Sequence, residues 1–150
     1  MLESNAVGYL IAHIFRCSRR YKSKELDQYG LGRGTFQHLM ALYRRDGVSQ
    51  SELSDRVITD KANTTRSINK LIELGYVSKD RDSNDQRAVT IHLTDKALEI
   101  KPQIRSVLMK WTLILTKGLS KEEKETVRRL LKKMAINAEN HINDSTETGQ

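Results

Sequence analysis

The chain has 150 residues, 26 of them Lys or Arg and 19 Asp or Glu, for a formal net charge of +7. That length fits one domain with a buried core, and 37% hydrophobic residues with one Pro and eight Gly exclude collagen-like and mucin-like chains. No apolar run approaches the roughly 18–20 residues of a membrane span, while a sequence pI near 9.6 favours polyanionic partners without separating DNA from RNA or an acidic protein.

Val7, Leu10, Ile11, Ile14 and Phe15 recur at spacings of three and four, which predicts a helix from about Ser4 to Leu26. Gly30, Gly32 and Gly34 then break the pattern before Phe36, Leu39, Met40 and Tyr43 resume it, so a second helix runs to about Asp46 and Gly47. Ser49 with Glu52 three residues on forms a capping box that opens a short third helix, Gln50 to Val57. Asp60 can cap a fourth helix from Lys61 to about Leu74, stopped at Gly75. Its expected inner face is Ala62, Thr65, Ile68, Leu71 and Ile72.

The period changes to two at Val89, Ile91 and Leu93, which predicts a strand, and Tyr76 to Lys79 can pair with it antiparallel. The polar run Asp80 to Arg87 between them reads as an exposed hairpin loop. Thr94 can cap a long fifth helix whose face includes Ile104, Val107, Leu108, Trp111 and Leu115, with a kink expected at Pro102. Gly118 ends it. Ser120 and Glu123 form a second capping box for a sixth helix with Val127, Leu130, Leu131, Met134 and Ala138 inward. Asn143 to Gln150 read as a disordered polar tail, and no internal repeat is present.

Two short helices followed by a charged hairpin describe a winged helix-turn-helix, whose second helix enters the DNA major groove. Opposite its apolar stripe, that helix offers Lys61, Asn63, Thr64, Arg66, Asn69 and Lys70, with no acid between Asp60 and Glu73. Arg can read guanine and Asn adenine through paired hydrogen bonds; the competing reading is a solvated basic face. Arg81 and Arg87 flank the hairpin tip, and Asp85 lies close enough to orient Arg87 for a narrow minor groove, although an exposed ion pair would explain the same residues. The charge is unevenly placed. Met1 to Val48 carries +4, Ser49 to Leu93 is neutral, and Thr94 to Gln150 carries +3, so DNA binding rests on the arrangement of charge and not its total.

The stretch from Val48 to Ala97 resembles the winged helix core of the MarR family of transcriptional regulators. The match is carried by Ser49-Gln50 with Leu53, by Asp60-Lys61 with Thr65 and Leu71 ahead of Gly75, and by Asp85-Gln86-Arg87 followed by Leu93-Thr94. It extends more weakly through Leu31 to Tyr43 and Gly118 to Met134. The implied fold is mainly α (α+β): one domain over 1–142, with a winged core at about 31–94 and dimerisation helices at about 4–26 and 95–142. The resemblance implies an obligate homodimer and a repressor, less often an activator. It places Lys61, Asn63, Thr65, Arg66 and Lys70 on DNA, adds Gln50 to the DNA-binding set, and puts Arg87 in the minor groove with Asp85 as its partner. It also implies a small effector, often aromatic and anionic, bound between the dimerisation helices and the winged domain; His13, Arg16, Arg20 and His38 are the polar candidates.

The residues support a dimer separately, because Leu10, Ile11, Ile14, Trp111, Leu130 and Met134 supply more apolar surface than a small winged domain can cover. Two recognition helices would then lie one duplex turn apart, roughly 34 Å, on a pseudo-palindromic operator. Cys17 is the only cysteine, which excludes an intrachain disulfide and suggests a reducing compartment. Met1 to Gly8 lacks the basic flank of a secretory signal, so the expected location is the cytoplasm. Cys17 shares a helix face with His13 and Tyr21 and is flanked by Arg16, Arg19 and Arg20, a setting that favours thiol reactivity; redox sensing is an alternative to an unreactive thiol. No metal motif, cofactor fingerprint or catalytic constellation is found. The remaining alternative is a winged helix used for protein contact without specific DNA binding.

Overall fold

A computed structural model of the chain describes residues 6–32, 34–81 and 89–147. The elements run α1 (Val7–Leu26), a 3-10 turn (Asp27–Tyr29), α2 (Thr35–Arg44), β1 (Val48–Ser49), α3 (Gln50–Val57), α4 (Lys61–Glu73), β2 (Val77–Arg81), β3 (Val89–Leu93), α5 (Asp95–Leu115) and α6 (Lys121–Glu147). The chain clusters into two compact units, Met1–Trp111 and Thr112–Gln150, with the boundary inside α5.

Within the first unit, α2, α3 and α4 enclose a core of Leu39, Leu42, Leu53, Ile68 and Leu71, each with no exposed surface. Local chemistry sets the ends of these helices. Ser49 Oγ accepts from the Glu52 backbone N–H at 3.2 Å and opens α3; Asp60 Oδ1 accepts from Asn63 N–H at 2.7 Å and opens α4. Each satisfies a donor that a helix start would leave unpaired. Between them Ile58 sits at φ 56°, a left-handed conformation that costs a β-branched residue about 1–2 kcal/mol; its N–H closes α3 onto the Ser54 and Asp55 carbonyls. Gly75, at φ 78°, takes the same conformation without a Cβ after α4, and Tyr76 N–H returns to the Leu71 carbonyl at 2.9 Å.

The wing is a three-stranded antiparallel sheet in the order β1-β3-β2. β2 and β3 pair antiparallel from Val77 with Leu93 to Arg81 with Val89; the pairing is the expected one, but Asp80 and Arg81, expected in the hairpin loop, extend β2 by pairing with Thr90 and Val89. β1 was not expected. Its two residues pair with Thr90 and Ile91, and two residues are too few to show a period. The Asp46 carboxylate accepts Leu93 N–H at 2.9 Å and holds this edge.

The start of α5 is tied to the end of α4. Thr94 Oγ1 donates to the Gly75 carbonyl at 2.6 Å, and Lys96 Nζ donates to the Leu74 carbonyl at 2.6 Å while lying over the Tyr76 ring. Tyr43 hydroxyl donates to the Ala97 carbonyl at 2.5 Å. Burial, reinforced by Tyr76, pushes the Tyr43 phenol up to about 12, so it remains a donor throughout the neutral range. Pro102 lies within a continuous α5.

The inner face of α4 differs from the expected one. Thr64, Ser67, Ile68 and Leu71 are buried, whereas Ala62 and Ile72 are exposed and Thr65 is half-buried. Two hydroxyl residues occupy the stripe, so its polarity hid it from a hydrophobic count. Gly34 permits the close approach: a Cβ there would stand 3.2 Å from Ser67 Oγ.

In the second unit, Ser120 N–H donates to Glu123 Oε2 at 2.7 Å and Glu123 N–H to Ser120 Oγ at 3.2 Å, the reciprocal capping box predicted for the start of α6. The helix then continues through Glu147, so Asn143 to Glu147 of the expected tail are helical, and 148–150 lie outside the described residues. Helical propagation adds one backbone bond per residue and carries a polar segment along once the helix is nucleated. Val127, Leu130, Leu131, Ile136 and Ile142 are exposed along it. Among the described residues no helix is long and apolar enough to cross a membrane.

Candidate nucleic-acid interface

Burying Thr64, Ser67, Ile68 and Leu71 turns the opposite side of α4 outward, and Lys61, Asn63, Arg66, Asn69 and Lys70 are all exposed on it. These side chains are partly pre-arranged. Asn63 Nδ2 donates to Asp60 Oδ2 at 2.5 Å, and Arg66 Nη2 donates to Asn63 Oδ1. Asp60 thus fixes the Asn63 amide, whose oxygen takes one guanidinium N–H and leaves the others of Arg66 for a ligand. Lys70 Nζ pairs with Glu73 at 3.1 Å, an exposed contact that a phosphate can displace at little cost. Gln50 Nε2 donates to Thr65 Oγ1 at 2.5 Å, which joins the start of α3 to the second turn of α4.

Thr64 does not belong to this face. It is fully buried and cannot reach a base or phosphate. Its hydroxyl is 3.1 Å from the Asp60 carbonyl, 2.8 Å from Ser54 Oγ and 3.2 Å from His38 Nε2. His38 is buried too, with Nδ1 2.7 Å from the Gly34 carbonyl, and burial lowers its pKa below the usual 6.5 despite that bond. Single-residue polarity gave no signal for this knot of α2, α3 and α4; only the position of Thr64 one turn before Ile68 could have placed it inside.

On the wing, Arg81 is exposed at the end of β2. Asp85 and Arg87 lie outside the described residues. The effector candidates do not share one cavity. Arg16 and Arg20 line an open trough of about 740 Å³ with Arg19, Ser23, Lys24 and Asp27, whereas His38 lines a separate cavity of about 450 Å³ beside Asn63, Arg66 and Lys70. His13 Nε2 lies 3.7 Å from Cys17 Sγ on α1, and Cys17 is exposed. Among the described residues no cluster of His, Cys, Asp and Glu suits a metal ion.

Leu10, Ile11 and Ile14 are exposed on α1, as is Leu130 on α6. Trp111 and Met134 are half-buried, and the Trp111 ring stacks on Tyr21 at 5.1 Å.

Comparison with known proteins places this geometry. Residues 20–104 match the family model described as transcriptional regulator SarA/Rot. The HTH-type transcriptional regulator BilQ of Clostridioides difficile (strain CD3) is 32% identical over 130 residues, covering 86% of this chain and 88% of that protein. A MarR transcriptional regulator from Methanosarcina mazei superposes with a TM-score of 0.84 at 34% identity, over 88% of this chain and 95% of that one. A MarR protein from Peptoclostridium difficile does so with a TM-score of 0.85 at 30% identity, over 94% and 93%. With a basic helix face turned outward beside a three-stranded wing, and relatives of this kind along most of its length, the chain belongs to the MarR family of DNA-binding winged helix-turn-helix transcriptional regulators.

Proposed function

We propose that the chain is a ligand-responsive repressor that binds a pseudo-palindromic operator in double-stranded DNA as a homodimer in the cytoplasm. The observation that carries this reading is the outward face of α4, where Lys61, Asn63, Arg66, Asn69 and Lys70 stand exposed on a helix whose other side is core. In this reading α4 enters the major groove. Arg66 and the Asn side chains address base edges, Lys61 and Lys70 address phosphates, and Gln50 and Thr65 hold the helix start. Arg81 and Arg87 extend the contact along the wing, with Asp85 orienting Arg87. The exposed apolar side chains of α1, and separately those of α6, support the second copy. An aromatic anion is the effector class that suits the basic residues Arg16 and Arg20.

Selection from random duplexes tests the reading. It is expected to return two inverted half-sites whose centres are about 10 base pairs apart, with affinity falling steeply on a log-log salt plot. Single asymmetric sites would remove the dimer, and equal weak binding to every duplex would favour a protein-contact module. Against the selected site, Arg87→Ala is expected to weaken binding by about 1–3 kcal/mol; unchanged affinity at moderate salt would remove Arg87 from the contact.

A further inference from the structure

We propose that His38 couples operator binding to proton uptake: lying beneath the recognition helix and joined to it through Thr64, its ring gains a proton from solvent when α4 meets DNA. The inference rests on α4 being the DNA-reading helix.

His38 is 2% exposed and Thr64 0%. Because the Gly34 carbonyl only accepts, His38 Nδ1 carries hydrogen and donates at 2.7 Å. The remaining nitrogen, Nε2, faces Thr64 Oγ1 at 3.2 Å, and the hydroxyls behind it can point two ways. With a neutral ring, Thr64 O–H donates to Nε2 and Ser54 O–H donates to Thr64 Oγ1 over 2.8 Å. With a charged ring, Nε2–H donates to Thr64 Oγ1, and Thr64 O–H turns to the Asp60 carbonyl 3.1 Å away. Ser54 keeps its bond to Thr64 or turns to the Gln50 carbonyl at 3.1 Å. Every donor has an acceptor in both states.

What opposes the charge is desolvation and its neighbours. Among the described residues, the charged groups lining the His38 cavity are Arg66 and Lys70 of α4; α2 adds Gln37 and Thr35, α3 adds Val57 and the α3–α4 connection adds Thr59, none of them charged. The Asp60 carboxylate is turned to the Asn63 backbone and amide. The phosphate at Lys70 and the duplex backbone around it supply the negative potential missing from this surround, which favours the charged ring. The sign follows by linkage. A pKa higher in the complex than in the free chain means that binding takes up protons between the two values, so affinity rises as pH falls through that window.

NMR titration of the His38 ring in the full chain, with and without the selected operator duplex, tests this directly. Its pKa is expected to rise by about 0.5 on binding, equivalent at fixed salt to an affinity gain that grows as pH falls and reaches about threefold only below both pKa values. His38→Phe and His38→Gln are expected to lose that pH slope, while His92→Gln, on the wing strand, keeps it. The same His38 titration with and without duplex, or an unchanged slope in both His38 variants, overturns the proposal. An operator bound with no pH dependence would sink the proton coupling alone; failure to select any operator would sink the DNA reading with it.

Discussion

Leu71→Ala is expected to lower the unfolding free energy by about 2–5 kcal/mol, the range for emptying a packed leucine site. Leu71 has no exposed surface, and its carbonyl accepts the Tyr76 N–H that turns the chain out of α4. The cavity would open where the recognition helix meets the wing, between elements that the core must hold at a fixed angle. Ile72, one residue on and 38% exposed, supplies the contrast: Ile72→Ala is expected to cost less than about 1 kcal/mol. Urea titrations with unchanged slopes would measure both. Equal losses at the two positions would refute the burial pattern of α4.

Arg66→Ala is expected to weaken binding to the selected operator by about 1–3 kcal/mol and to relax base preference at one position in each half-site. The Asp60–Asn63–Arg66 chain of hydrogen bonds limits the orientations the guanidinium must give up on binding, and pre-organisation of this kind reduces the entropic cost of a contact. Lys70→Ala provides the control. Proposed as a phosphate contact and paired in the free chain with Glu73, Lys70 is expected on substitution to weaken all duplexes alike and to lower the salt slope by about one. Competition assays on permuted operators would separate the two. If Arg66→Ala weakened every sequence equally, the residue would be a backbone contact.

Much of this architecture is legible in the sequence because local bonds write it there. Ser49 with Glu52, Asp60, and Ser120 with Glu123 mark helix starts by side chains that pair with nearby N–H groups, and the structure uses all three. The alternation in β3 is legible for a different reason, because one face of the strand packs inward at Ile91. Long-range packing is less visible. Val48 and Ser49 become a strand only because β3 lies beside them, and nothing in two residues announces it. Thr64 looks like a surface residue until Ser54 and His38 satisfy its hydroxyl, and Ile72 looks like core until the helix is rotated by the burial of Thr64 and Ser67. The exposed cations of α4 were therefore readable, while the polar residues that anchor their helix from below were not.

The ties between α4 and α5 give the fold a lever. Thr94, Lys96 and the Thr94 backbone N–H, which donates to the Tyr76 carbonyl at 3.1 Å, all belong to the entrance of α5 and all end on the exit of α4. Any roll of α5 that preserves these bonds drags the C-terminal end of the recognition helix with it. The pull would be carried by hydrogen bonds to the three consecutive carbonyls of Leu74, Gly75 and Tyr76, the turn that directly follows Glu73.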